Sequence, residues 1–264
     1  MATTTQHAPG SFCWIELATT DQSAARTFYS KLFDWEPSET PMAEGMTYTI
    51  FRNGGRDAAA LHQMRSEHYP PGTPAHWLAY LAVENADQTA GRVKASGGQV
   101  LQEPFDVMES GRMALCKDPI GATFALWQSA KHSGLGVTGE PGSLSWCQLN
   151  APMSGADKAK GFYGGAFGWG FRDDPMPMGA AYTTWMAGSE RRGGMMPMPP
   201  GGDHAAHWLA YFGSANVDAT ATRAKELGAA LMVPPTDIPG VGRFAVIQDP
   251  QGAFFAVVKF DLPM

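Results

Sequence analysis

The sequence predicts an α+β fold made of two copies of one domain joined by a short linker. Three observations support this prediction. The chain has 264 residues, which exceeds the usual size of one domain. Its two halves repeat the same sequence blocks in the same order, and strand-like and helix-like segments alternate in the same way within each half. With 44% hydrophobic and 17% charged residues, the composition is that of a folded globular protein.

Four blocks of the first half recur in the second half. The pairs are PGSFCWIEL at 9–17 with PGSLSWCQL at 141–149, FYSKLFDW at 28–35 with FYGGAFGW at 162–169, HWLAY at 76–80 with HWLAY at 207–211, and GRMALCKDPIGATF at 111–124 with GRFAVIQDPQGAFF at 242–255. The stretch between the copies is rich in Gly, Ser and Thr and lacks hydrophobic periodicity, as is typical of a linker. We therefore predict a first domain at 1–134, a linker at 135–142 and a second domain at 143–264.

The elements of the first half can be predicted in order. In residues 11–19, Phe12, Trp14 and Glu16 alternate with Cys13, Ile15 and Leu17, and this period of two indicates a strand. Thr20-Asp21 then resembles a helix N-cap, and an amphipathic helix follows to about Phe33. Two or three short strands continue through Met64.

A second round of the same elements begins at His76. It predicts a strand to Val83, a helix from about Asn85 to Ser96, and a helix stop at the following glycine pair. Three strands complete this round, near 99–103, 111–117 and 122–128. Each half is therefore predicted to be βαβββ twice.

Charge and cysteine content narrow the range of partners. The net charge is −6 and no block of Lys and Arg occurs, so we expect neither nucleic acid nor a membrane as a partner. The first ten residues lack the features of a signal peptide, and no apolar run reaches the ~18 residues that span a bilayer. Cys13, Cys116 and Cys147 suit reduced, buried thiols. We expect a cytoplasmic monomer or homodimer.

This order of elements resembles the vicinal oxygen chelate superfamily, which includes glyoxalase I, bleomycin-resistance proteins, fosfomycin-resistance enzymes and extradiol dioxygenases. The segment at 14–35 resembles the family's opening strand and helix, and those at 118–128 and 249–258 resemble its DPxG hairpin. In that hairpin Asp starts the turn and Gly takes the left-handed position. The resemblance implies that each domain is two βαβββ modules forming a cupped mixed sheet. It is closest to tandem glyoxalase-like proteins of actinobacterial type.

The resemblance also implies where a family metal would be held. The corresponding positions are Trp14 and Trp146 in the opening strands of the two halves, Leu78 and Leu209 in the fifth strands, and Ala125 and Ala256 in the last strands. None of these side chains can bind a divalent cation. We therefore expect no family-type metal and no cofactor. An alternative is a displaced metal site at Glu16 and His76, which lie two residues from family positions on the same strand faces.

Strand periodicity predicts an aromatic, sparsely polar pocket in each half. The predicted ligand-binding residues are Trp14, Tyr80, Trp146, Gln148, His207 and Tyr211. The alternative for the tryptophans is that they fill the core.

Glu16 and His76 are the candidate catalytic residues. A carboxylate in an apolar pocket has a raised pKa and can act as a general acid or base, which makes Glu16 the candidate proton-transfer residue. The alternative is that Glu16 lies in water at the rim of the pocket. For His76 and His207, which recur in both halves, the alternative is a shared structural hydrogen bond.

Two functions fit these residues. The first is metal-independent binding or detoxification of a small hydrophobic or aromatic metabolite or drug, in the manner of the bleomycin-resistance branch. The second is a glyoxalase-like lyase or isomerase acting on a 2-oxoaldehyde or a related carbonyl compound. In this second function Glu16 transfers the proton, and His76 or Tyr80 stabilises the oxyanion. From the sequence we favour the first, and whether a reaction is catalysed stays open.

Overall fold

A computed structural model describes residues 7–42, 45–175, 181–198 and 205–262. Each half folds as strand, helix and three strands, twice, as predicted. The elements of the first half are β1 (Phe12–Thr19), α1 (Gln22–Phe33), β2 (Glu36–Pro41), β3 (Thr47–Asn53), β4 (Arg56–Gln63), β5 (His76–Ala82), α2 (Ala86–Ala95), β6 (Gln99–Val107), β7 (Gly111–Lys117) and β8 (Thr123–Ser129). Those of the second half are β9 (Leu144–Pro152), α3 (Ala156–Phe167), β10 (Gly170–Pro175), β11 (Ala181–Ala187), β12 (Glu190–Met198), β13 (His207–Gly213), α4 (Val217–Glu226), β14 (Ala230–Ile238), β15 (Gly242–Gln248) and β16 (Phe254–Phe260).

Each half forms one eight-stranded mixed sheet. The strand order is β2-β3-β4-β1-β5-β8-β7-β6 in the first half and β10-β11-β12-β9-β13-β16-β15-β14 in the second. β1 runs parallel to β4 and β5 runs parallel to β8, whereas the pairs within β2 to β4 and within β6 to β8 are antiparallel. The predicted α+β architecture with two tandem domains is confirmed.

Local chemistry fixes the ends of the helices. The Asp21 carboxylate accepts a hydrogen bond from the backbone N–H of Ala24 at 2.9 Å, which starts α1 where the sequence predicts. Asn85 caps α2 in the same way, through the N–H of Gln88 at 2.8 Å. α3 has no side-chain cap and follows a single 3-10 turn, Met153–Gly155. This turn lies where the second half carries extra residues relative to the first.

One predicted strand is longer in the structure than in the prediction. The strand expected near 99–103 continues as β6 to Val107. Its pairing with β7 shifts register twice, between Val100 and Gln102 and between Gln102 and Phe105. Such bulges let a strand continue past a proline, here Pro104, which cannot donate to the ladder.

Packing divides the chain into two compact units, each of which draws on both sequence halves. One unit contains residues 1–14, 79–134 and 147–209. In this unit the buried Tyr163 hydroxyl of α3 donates to the Asp118 carboxylate at 3.0 Å and accepts from the Trp208 indole N–H at 2.9 Å. The other Asp118 oxygen accepts the N–H groups of Ile120 and Ala122 in the DPxG turn.

The second unit contains residues 15–78, 135–146 and 210–264, and it repeats the same arrangement. Its Tyr29 hydroxyl donates to Asp249 at 2.9 Å and accepts from the Trp77 indole N–H at 3.1 Å. Burial raises the pKa of both aspartates and of both tyrosines. The left-handed glycine predicted for each DPxG turn is confirmed, with φ of 106° at Gly121 and 98° at Gly252. The domain boundaries at 134 and 143 follow the sequence repeat and stay a prediction.

The cysteines are free and buried, and burial raises the pKa of all three thiols. Within the part of the chain that the structure describes, no helix has the length and apolar character needed to cross a membrane.

Candidate functional site

Strand register in the first half brings three polar side chains together. The parallel pairing of β1 and β4 places Glu16 beside Ala60 and Ala18 beside His62. The antiparallel pairing of β3 and β4 places Tyr48 opposite His62. Because alternate residues of a strand share a face, Glu16, His62 and Tyr48 meet as diagonal and direct cross-strand neighbours.

These side chains form one hydrogen-bonded chain. His62 Nδ1 lies 3.0 Å from Glu16 Oε1, and the Tyr48 hydroxyl donates to Glu16 Oε2 at 2.5 Å. His62 Nε2 lies 2.9 Å from the hydroxyl of Tyr69, which follows β4 in the connection to β5. We call Glu16, Tyr48, His62 and Tyr69 the first-half cluster.

The first-half cluster is largely but not completely buried. Glu16 is 9% exposed, and 27% of the His62 side chain is exposed. Burial lowers the pKa of His62, but the hydrogen bond to Glu16 and the negative charge of Glu16 outweigh burial, so the net pKa is raised. Burial, with the Glu16 charge, raises the pKa of Tyr69 to about 12. Tyr69 therefore keeps its hydroxyl proton in neutral solution.

The first-half cluster can move a proton along its length. When His62 is protonated, its two N–H groups donate to Glu16 and to the oxygen of Tyr69, so the Tyr69 hydroxyl proton can be given to another acceptor. When His62 is neutral with the proton on Nδ1, its Nε2 accepts from Tyr69 instead. The two states differ by one proton that passes through Tyr69, which is the geometry of a general acid and base.

The corresponding polar side chains of the second half form a different chain. Gln148 Nε2 donates to Asn150 Oδ1 at 2.8 Å, and Asn150 Nδ2 lies 3.0 Å from His207 Nε2. His207 Nδ1 donates to the backbone carbonyl of Ala205 at 2.9 Å, which leaves Nε2 to accept from Asn150. We call Gln148, Asn150 and His207 the second-half cluster. It contains two amides and one imidazole of fixed tautomer, and no carboxylate.

The two predicted catalytic residues have different hydrogen-bond partners in the structure. Glu16 lies at the centre of the first-half cluster and does not lie in water at a rim, since it is 9% exposed. His76 donates from Nδ1 to the carbonyl of Pro74 at 2.9 Å, as His207 does to Ala205. The shared structural hydrogen bond considered as the alternative is therefore present. The His76 ring lies 6.0 Å from the ring of Tyr69, next to the cluster.

The predicted aromatic ligand-binding residues are mostly buried. Trp14 is 5% exposed and packs edge-on against the ring of His132 at 4.6 Å. Tyr80 is 4% exposed with its ring 6.4 Å from Trp127, and Tyr211 is 7% exposed. Trp146 is half-buried. Of the predicted residues in the second half, the structure joins Gln148 and His207 through Asn150. A ligand-binding role for these residues stays a prediction.

Sequence reasoning missed four residues of the two clusters. Asn150 lies two residues from Gln148 on the same strand, so strand periodicity could have found it. His62 and Tyr69 lie on and after β4, whose pairing with β1 is parallel and non-local, and Tyr48 lies on β3, which reaches the site through its pairing with β4. No local pattern fixes that register, so the sequence alone does not place them beside Glu16.

The residues present do not fit the family's metal. Among the described residues, no group of three or more His, Cys, Asp and Glu side chains could hold a metal ion. Glu16 and His62 are bonded to each other, and the second Glu16 oxygen accepts from Tyr48. Leu78 and Ala125 stand at the family positions on β5 and β8, and neither can supply a ligand.

Comparison with known proteins identifies the family. The model of the Glyoxalase/Bleomycin resistance protein/Dioxygenase superfamily matches residues 11–126 and 146–257. A protein named putative glyoxylase CFP32 from Mycobacterium bovis is 38% identical over 256 residues, which cover 96% of each chain. The anthracycline biosynthesis protein DnrV from Streptomyces peucetius is 36% identical over 265 residues, covering 97% of this chain and 95% of its own.

Solved structures share the fold. The Mn(II)-bound glyoxalase from Novosphingobium aromaticivorans matches with a TM-score of 0.66 and 19% identity, over 97% of this chain and 86% of that one. The 2,3-dioxygenase LapB from Pseudomonas sp. KL28 matches with a TM-score of 0.68 and 14% identity, over 97% and 96%. At such identities the likeness shows the fold alone. Together with the sequence matches, it shows that this chain belongs to the glyoxalase/bleomycin resistance protein/dioxygenase superfamily, as a tandem pair of its domains.

Proposed function

We propose that the first half carries a metal-independent acid–base site that acts on a small hydrophobic or aromatic carbonyl compound such as a 2-oxoaldehyde. The observation that carries this proposal is the hydrogen-bonded chain from Glu16 through His62 to Tyr69. A carboxylate, an imidazole and a hydroxyl in that order can store a proton and deliver it at one point.

Each residue of the first-half cluster has a distinct part in this proposal. Tyr69 donates its hydroxyl proton to the ketone oxygen, where negative charge develops as a hydride moves from the hydrated aldehyde carbon to the ketone carbon and a hydroxyl of the hydrate loses its proton to water. His62 replaces the Tyr69 proton, becomes neutral, and is protonated again from water. Glu16 stabilises the protonated form of His62, and Tyr48 holds the second Glu16 oxygen in place. Glu16 and Tyr48 are therefore positioning residues, whereas Tyr69 contacts the substrate.

The comparisons support the substrate class of this proposal. One relative is named a putative glyoxylase and another an anthracycline biosynthesis protein, and both align with this chain over nearly the full length of each protein. We infer a small molecule as the partner, with neither nucleic acid nor membrane, in a cytoplasmic monomer or homodimer. Because His62, which was not expected from the sequence, is hydrogen-bonded to Glu16, we favour catalysis over binding alone.

Binding without turnover is the second candidate, and the second-half cluster favours it. Its two amides and its tautomer-fixed imidazole offer hydrogen bonds to a ligand but no carboxylate for proton transfer. On this candidate the chain sequesters a small hydrophobic or aromatic metabolite or drug.

Phenylglyoxal, an aromatic 2-oxoaldehyde, separates the two candidates. Water adds to it and an internal shift gives mandelate, which can be measured directly. We expect turnover by the chelator-treated protein and a loss of at least 100-fold in Glu16→Gln, because positioned acid–base groups contribute about 10²-fold or more. Glu226→Gln, the same change at an exposed glutamate of α4, is the matched control, and it should retain the full rate. Equal turnover in Glu16→Gln, or turnover that needs an added divalent cation, contradicts the acid–base site. Binding of phenylglyoxal with no mandelate formed by the wild type supports the second candidate.

A further inference from the structure

A cavity of about 300 Å³ lies in the compact unit that contains residues 79–134. Its wall is formed by residues 7–9, the last residue of β5 and the two residues after it (82–84), Trp127 of β8, and the serines Ser129 and Ser133. None of these residues belongs to the first-half or second-half cluster. The cavity is therefore a separate feature of the fold, of a size that suits a small ligand.

Backbone hydrogen bonds hold the walls of this cavity in place. The N–H of Gly10 donates to the carbonyl of Ala82 at 2.8 Å, which fixes the N-terminal segment beside β5. The N–H of Val83 donates to the carbonyl of Trp127 at 2.9 Å, and the Trp127 indole N–H donates to the carbonyl of His132 at 3.0 Å. The cavity is preformed, so a ligand need not order its walls.

The side chains that line the cavity include one carboxylate, Glu84, and one imidazole, His7. Glu84 is exposed, and its carboxylate makes no hydrogen bond or ion pair with any described residue. Trp127, 7% exposed, supplies an indole to the wall, and the hydroxyls of Ser129 and Ser133 add acceptors. A carboxylate beside an indole is the combination that recognises organic cations, through an ion pair and a cation–π contact. The chain's net charge of −6 also attracts cations.

We propose that this cavity binds an organic ammonium ion with an apolar or aromatic body. The sequence repeat shows that the second half cannot offer the same site. The positions that correspond to Glu84, Trp127 and Ser129 are Ala215, Val258 and Phe260. One ammonium site per chain is therefore expected.

Benzyltrimethylammonium is the probe for this site, titrated into the ¹⁵N-labelled full chain at low salt. We expect millimolar binding, about the range for a ligand of this size. The NMR shifts should move at the Trp127 indole N–H and at the amides of Val83 and Glu84. The neutral benzyl alcohol should bind far more weakly.

Variants with equal changes of charge complete the test. Glu84→Gln should weaken binding by about five-fold, the upper range for one exposed ion pair. Glu226→Gln, an exposed glutamate of α4, should leave it unchanged. Shifts confined to other residues, equal affinity in Glu84→Gln and wild type, or equal affinity for benzyl alcohol would each overturn the proposal. The readout is binding, so it is independent of turnover at the first-half cluster.

Discussion

The two halves place polar clusters on corresponding strands but give them opposite chemistry. In the first half a carboxylate and an imidazole face each other, with Glu16 Oε1 3.0 Å from His62 Nδ1. In the second half Gln148 replaces the carboxylate, and Met196 stands beside Asn150 where His62 stands beside Ala18. The first-half cluster pairs an imidazole with a carboxylate, whereas the second-half cluster pairs an imidazole with amides, which do not titrate.

Outside the two polar clusters, the buried hydrogen bonds of the framework that supports the sheets are the same in both copies. The clusters are therefore where the two copies differ in chemistry. Each unit contains one tyrosine hydroxyl that joins an indole N–H to the aspartate of a DPxG turn, at distances within 0.2 Å of each other. His76 and His207 also make the same backbone hydrogen bond. Duplication has kept the packing and changed the chemistry, so activity should depend on the first half alone.

The largest expected effect is a coupled loss of rate in the first half. Glu16→Gln and His62→Gln should each reduce turnover of phenylglyoxal by at least about 100-fold, roughly 3 kcal/mol of transition-state stabilisation. The double variant should lose little more than either single variant, because the two residues act as one unit. Single-turnover rates of the four proteins measure this. Multiplicative losses would show that the pair is not a unit.

Introducing the carboxylate alone into the second half should destabilise it. Gln148→Glu buries a charge without a cationic partner, which we expect to lower the free energy of unfolding by about 2 kcal/mol. Adding Met196→His supplies the missing imidazole and should recover at least half of that loss. Urea denaturation of the single and double variants tests this. If the double variant is no more stable than Gln148→Glu, the side chains on β9 and β12 are not arranged like those on β1 and β4, although the strand registers correspond.

The shared framework should respond equally in the two units. Tyr29→Phe and Tyr163→Phe each leave a buried aspartate oxygen and an indole N–H without their partner, and each should cost about 1.5 kcal/mol. Thermal unfolding of both variants gives the comparison. A cost in one unit several times that in the other would contradict the symmetry of the framework.

The smallest effect concerns the stability of the first half as a function of pH. The raised pKa of His62 contributes stability that is fully present below the unfolded value of about 6.5 and is lost as pH rises through the folded value. Wild type should therefore be more stable than His62→Gln at pH 6, by at most about 1 kcal/mol, and the difference should shrink at high pH. When Glu16→Gln is present in both proteins, the stability advantage of His62 over the His62→Gln variant should no longer be larger at low pH than at high pH.

The sequence predicts the architecture well because the repeat and the strand and helix periods are local signals. Asp21 and Asn85 cap their helices where expected, and the DPxG turns close β7 with β8 and β15 with β16. The site was predicted less completely. Glu16 stands out by its type and strand position, but its partner His62 is 46 positions away and is set beside it only by parallel strand pairing.

The protonation of His62 tests the central claim most directly. NMR titration of its ring nuclei in wild type and in Glu16→Gln measures the pKa in both. We expect a wild-type pKa above the ordinary value of about 6.5 and a pKa below it in Glu16→Gln, where burial acts without the carboxylate charge. The same pKa in both proteins would contradict the account, because Glu16 would then not hold the imidazole in its protonated form.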